Sequence, residues 1–162
     1  MTNADLSLPL EDALKAYLES TGYLTAASPS APPFAIYCAH LAEAIAHQDY
    51  LVLIAGRPTG DAIASGNPEI TLEFQLHTSE ITNEARRLDA VALHDTRAAA
   101  IEYLWSDENF AAARAALNAA ATVVGFTGWE ASTAANPGEA DGRTVEQTLL
   151  TRLLYTFDVF RL

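Results

Sequence analysis

Two imidazoles and a carboxylate, His40, Glu43 and His47, fall within one short stretch and are the residue types that hold zinc. Their spacing is not the HExxH pattern in which two histidines share a helix face with a general base. On a helix they would lie away from the side carrying Phe34, Leu41 and Ile45, which is the position of a solvated face. No metal is expected there. His94 and Asp95 are adjacent, and Arg97 follows. A carboxylate can orient a catalytic imidazole, but neighbours on a helix point about 100° apart and do not face each other. A charged helix surface is expected instead, with Arg97 near the apolar stripe meeting a carboxylate such as Glu73.

The remaining candidates carry little chemistry. Cys38 has no Lys or Arg nearby to lower its pKa, so a buried, inert thiol is expected. GRPTG (56–60) has two glycines and an arginine but neither a P-loop lysine nor GxGxxG. Asp141, Gly142 and Arg143 read as turn residues. The sequence contains no GxSxG, CxxC or paired-carboxylate motif. It therefore predicts no catalytic residue, no resident metal and no cofactor, and a chain that is not an enzyme.

Charge narrows the partners. Nine basic residues stand against 21 acidic ones, a net charge of −12, and Lys15 is the only lysine. Gripping nucleic acid by its phosphates takes a basic stripe, and none is visible. The same balance disfavours an anionic membrane surface. No segment has the ~20 unbroken apolar residues of a membrane helix, and the opening MTNADLSLPLEDALK does not read as a signal peptide. A single cysteine suits a reducing compartment.

The elements that would position these residues follow from periodicity. Leu10, Ala13, Leu14, Tyr17 and Leu18 predict an amphipathic helix over 9–20, with Pro9 in its first turn and Gly22 at its end. A loop is predicted over 25–33. Phe34, Tyr37, Cys38, Leu41 and Ile45 predict a second helix over 33–47, followed by a buried strand at 50–55 and a loop at 56–68. ITLEFQLHT (70–78) alternates apolar and polar residues, as a strand with one wet face does. Helices are predicted from Asp89 to Trp105 and, capped by Ser106, over 107–119. A strand with a glycine bulge or close packing follows at 122–130, then an exposed loop at 131–142. Extended chain is predicted over 143–162. With 162 residues, half of them apolar, one domain covering 1–162 is expected. Helices and strands come in blocks, which predicts an α+β fold: an antiparallel or mixed sheet with helices packed on one face.

This order resembles the tail terminator and tail completion (head–tail joining) proteins of siphophages. The stretches that carry the likeness are LEDALKAYL, GNPEITLEFQLHT, LDAVALHDTRAAAIEYL with AALNAA, GFTGWEAS, and the final run from GRTVEQTLLTRLLY, together spanning about residues 8–160. The resemblance implies a structural virion protein that closes into a ring, hexameric as a rule, caps the tail tube and joins it to the head connector. Its partners would be further copies of itself, the tail tube protein and the head connector protein. DNA would pass through without specific binding, and an acidic lumen would suit that passage. The protein would sit at the tail–head junction of the virion, and in the host cytoplasm during assembly. Another neck component of the same particle, or a small intracellular α+β ligand-binding module, are the competing readings. For a subunit interface, Trp129, Arg143, Tyr155, Phe157 and Phe160 are the expected contributors, because apolar character continues to the end of the chain.

Overall fold

A computed structural model describes residues 4–22, 24, 34–41, 44–45, 49–56, 69–79, 87–121, 124–133, 139–140 and 148–161. Helix α1 spans Ala4–Thr21, so Pro9 lies inside it and not in its first turn. Leu10, Ala13, Leu14, Tyr17 and Leu18 are all buried, as their spacing predicts. Gly22, at φ +67°, ends the helix in the left-handed conformation that costs glycine least.

The predicted second helix is instead strand β1, Phe34–Cys38, followed by a 3-10 turn over Ala39–Leu41. Its apolar spacing suits either element, but FAIYC is rich in strand formers and finds a parallel partner in β2, Asp49–Ala55. Ile36 and Cys38 go inward, while Leu41 and Ile45, the far end of the supposed stripe, are exposed. Strand β3, Glu69–Ser79, buries Ile70, Leu72, Phe74 and Leu76, and its odd-numbered residues through His77 point to the other face.

Helix α2 spans Arg87–Leu104. Ser106 does not cap the next helix: its hydroxyl donates back to the Tyr103 carbonyl, a 3-10 turn occupies Asp107–Asn109, and α3 begins only at Phe110 and runs to Ala120. Strands β4 (Val124–Thr133), β5 (Glu139–Ala140) and β6 (Thr148–Arg161) complete the chain, so the predicted 131–142 loop is partly strand. The predicted loop at 25–33 and all but Gly56 of the one at 56–68, with residues 134–138 and 141–147, lie outside the described residues.

The six strands form one sheet in the order β1-β2-β3-β6-β4, with β5 also pairing β6. Only β1 and β2 run parallel. The fold is therefore α+β with a mixed, curled sheet. The curl has a visible cause. One extra residue enters β4 between Phe126 and Gly128, and another between Ala131 and Thr133, while β6 runs on without a break. Each bulge bends and twists the longer side. A Cβ on Gly128 would meet only ordinary contacts, so no close approach requires the glycine there.

All three helices contribute to a core on one face of this sheet. Trp105, just past α2, is its hub. Its ring lies 5.7 Å from Tyr17, 5.8 Å from Phe74, 5.8 Å from Tyr155 and 5.5 Å from Phe157, in tilted or edge-on contact. Phe157 is fully buried, and its truncation in Phe157→Ala should cost about 3–5 kcal/mol in urea unfolding. Arg152→Ala, on the same strand but facing outward, should stay within about 0.5 kcal/mol.

Candidate functional site

Polar side chains gather under α2, in a region otherwise apolar. Arg97 is 1% exposed and Asp49 fully buried, and Arg97 Nη1 donates to Asp49 Oδ2 at 2.9 Å. Asp49 Oδ1 accepts the Ser79 backbone N–H at 2.9 Å, Arg97 Nε donates to the Leu24 carbonyl at 3.3 Å, and the guanidinium carbon sits 4.3 Å over the Phe34 ring. Arg97 Nη2 finds no partner among the described residues. Burial draws the Arg97 pKa below its ordinary value, and the bond to Asp49 opposes that pull. The partner expected from sequence, Glu73, instead faces outward and lies 3.5 Å from Arg152.

One turn earlier, His94 is 1% exposed and not on a charged surface. Its Nδ1 lies 2.8 Å from the Thr78 hydroxyl and its Nε2 2.7 Å from the Thr151 hydroxyl. A neutral ring, with one N–H and one lone pair, satisfies both. Burial lowers its pKa from 6.5 to about 4, outweighing the opposing pull of Asp95. The imidazole is held neutral between two hydroxyls, beside the Arg97–Asp49 ion pair, and is 1% exposed. It positions α2 against β3 and β6.

A second node lies where α1 crosses the end of β1. Glu11 is 3% exposed, yet its carboxylate accepts the Ala55 N–H at 2.7 Å and the His40 N–H at 3.2 Å, and meets His40 Nδ1 at 2.5 Å. His40 and Ala55 stand two residues beyond the last β1–β2 pair, Cys38 with Leu53. The carboxylate thus takes the N–H groups that the ladder no longer pairs. Glu43 and His47, the other members of the sequence candidate, lie outside the described residues. Glu11 was not legible from sequence, because its partners come from distant elements.

The expected interface residues separate. Tyr155 and Phe157 are packed into the chain's own core and have no surface to offer a neighbour; burial also pushes the Tyr155 hydroxyl pKa up. Trp129 and Phe160 pair through their backbones with Phe157 and Gly125. Arg143 lies outside the described residues. The apolar side chains outside the helices' cover are others. Tyr37, Tyr50, Val52, Ile54 and Leu154 are half-buried on the opposite sheet face. There Tyr50 stacks on His77 at 4.3 Å and meets Tyr37 edge-on at 6.0 Å. Among the described residues no helix is long and apolar enough to cross a membrane.

Two outcomes test the buried cluster. Arg97→Met leaves the Asp49 carboxylate buried without its cation and should cost about 3–5 kcal/mol; adding Asp49→Asn, which can still accept from Ser79, should recover most of that in denaturant titrations. For His94, the unfolded chain takes up a proton as pH falls through about 6.5, whereas the folded chain resists until about 4. Stability should therefore be full above pH 6.5 and fall by about 3 kcal/mol on going down to pH 4, and His94→Gln should flatten that slope. Comparison with known proteins assigns this chain to no family: no protein-family model matches it, and no curated protein does.

Proposed function

We propose that this chain is a structural virion protein of a tailed phage, not an enzyme, and that it forms a ring at the head–tail junction in the manner of tail terminator proteins. The observation that carries the reading is the second face of the sheet. The helices pack on one face, while Tyr37, Tyr50, Val52, Ile54 and Leu154 stand on the other, outside the described core. Apolar area of that kind on a sheet suits packing against a further subunit. The opposite end of the same face is acidic, with Glu69 paired to Asp158 across β3 and β6.

The charge of −12 supports a place beside DNA that must slide. The sealed His94 and Arg97 cluster supports a structural role over catalysis. The same features suit another neck component, and position in the particle separates the two. Contacts would be with further copies of the chain, with the tail tube protein and with the head connector protein.

In the phage that encodes this chain, antibody labelling of purified virions should mark the head–tail junction. Virions that lack the protein, or carry it elsewhere, would overturn the proposal. Leu154→Thr, which keeps a strand former on the outer face, should leave the chain folded yet reduce the yield of joined particles.

A further inference from the structure

Glu11, Cys38 and His40 come from α1, from the last position of β1 and from the turn after it. One ligand atom of each lies within 4.8 Å of the others. We propose that these three residues form a zinc site, with Glu11 oxygen, Cys38 sulfur and His40 Nδ1 as ligands. The expectation of no metal considered His40 only together with Glu43 and His47 on a helix that does not form.

The donor set fits zinc. Thiolate, imidazole and carboxylate together suit a borderline-soft divalent ion and not a hard one such as magnesium or calcium. Ligands of a tetrahedral zinc ion stand about 3.3–3.8 Å apart, given bonds of about 2.0–2.3 Å. The three atoms lie within 4.8 Å of one another, so shifts of about 1 Å bring them to that spacing. The Glu11–His40 contact of 2.5 Å is a hydrogen bond and would open as the ion enters.

The surroundings of the ligands point the same way. A metal-bound imidazole characteristically gives its other ring N–H to a carboxylate. His40 Nε2 lies 3.4 Å from Asp12 Oδ1. With Nδ1 on the metal, the ring proton moves to Nε2 and faces Asp12. The Ala55 N–H holds Glu11 Oε1 at 2.7 Å, which leaves Oε2 turned toward His40. The Cys38 side is closed to solvent, since Cys38 is 2% exposed, while the His40 side chain is 15% exposed. Binding releases the Cys38 thiol proton, and water completes the fourth position. Such a site would pin α1 to the end of β1 whatever role the chain has in a particle.

Cobalt(II) titrated into the metal-free full chain reports sulfur ligation directly. One equivalent should bind with a near-ultraviolet sulfur-to-cobalt charge-transfer band, and zinc should displace it and raise the melting temperature. Cys38→Ser should lose the band, and His40→Ala should lose tight binding. Asp12→Asn, a positioning change at an exposed residue, should weaken binding about 10–100-fold without moving the band. The wild-type spectrum decides even if a variant fails to fold: no charge-transfer band at excess cobalt overturns the site. Stoichiometric zinc retained unchanged by folded His40→Ala and Cys38→Ser would overturn it equally.

Discussion

The fold depends on β6 lying unbroken across the middle of the sheet. Fourteen residues at about 3.3 Å each would extend some 46 Å if straight, against a diameter of roughly 40 Å for a compact chain of this length. The strand must therefore bend. It pairs with β3 without interruption from Thr148 to Asp158, so that side cannot absorb the bend by slipping. The slack is taken up on the other side. β4 carries two bulges, and between Thr133–Leu154 and Glu139–Leu150 the β4–β5 side runs two residues longer again. Those insertions let the sheet curl over Trp105, and the curl gives a few helices enough wall to bury.

A core built this way could accept α2 in more than one rotation, because an alanine-rich helix offers few distinctive knobs. The polar inclusions remove that freedom. Asp49 sits at the first residue of β2 and holds both the Ser79 N–H of β3 and the Arg97 guanidinium of α2. His94, one turn away, engages hydroxyls of β3 and β6. A rotation of α2 would break all three connections and leave charges buried without partners, which costs far more than an apolar mismatch. On this view the pair contributes specificity of docking more than net stability.

Much of this was legible in the sequence where one local pattern decided the outcome. Ile70, Leu72, Phe74 and Leu76 alternate, and the strand they predict forms with that face inward. The α1 stripe is likewise legible residue by residue, and the block order of helices and strands carries the α+β class. The misreadings arose where the deciding partner is distant. Phe34, Tyr37, Cys38 and Leu41 fit a helix as well as a strand, and pairing with β2 chose the strand. Tyr155 and Phe157 looked available for an interface because extended apolar sequence does not say which face the helices will cover. Glu11 read as one more charge on an amphipathic helix. Its role becomes visible only once Ala55 and His40 stand beside it.

The edges of the sheet bear on how such a chain could meet a neighbour. A bare edge strand invites another strand to add to it. On β4, however, the Asn118 side chain of α3 accepts from the Phe126 N–H at 2.8 Å and donates to the Phe126 carbonyl at 3.2 Å. That amide supplies both bonds a neighbouring strand would make at this residue. The bulge immediately after it breaks the regular spacing further along. At the opposite side, Glu11 takes the N–H groups of His40 and Ala55 where β1 stops pairing with β2. Strand addition is thus blocked on β4 at Phe126, and the β1 corner has its amides already engaged. The face carrying Tyr37, Tyr50 and Leu154 holds half-buried apolar side chains on the side of the sheet away from the described helices, where packing through side chains and not extension of the ladder is the geometry available.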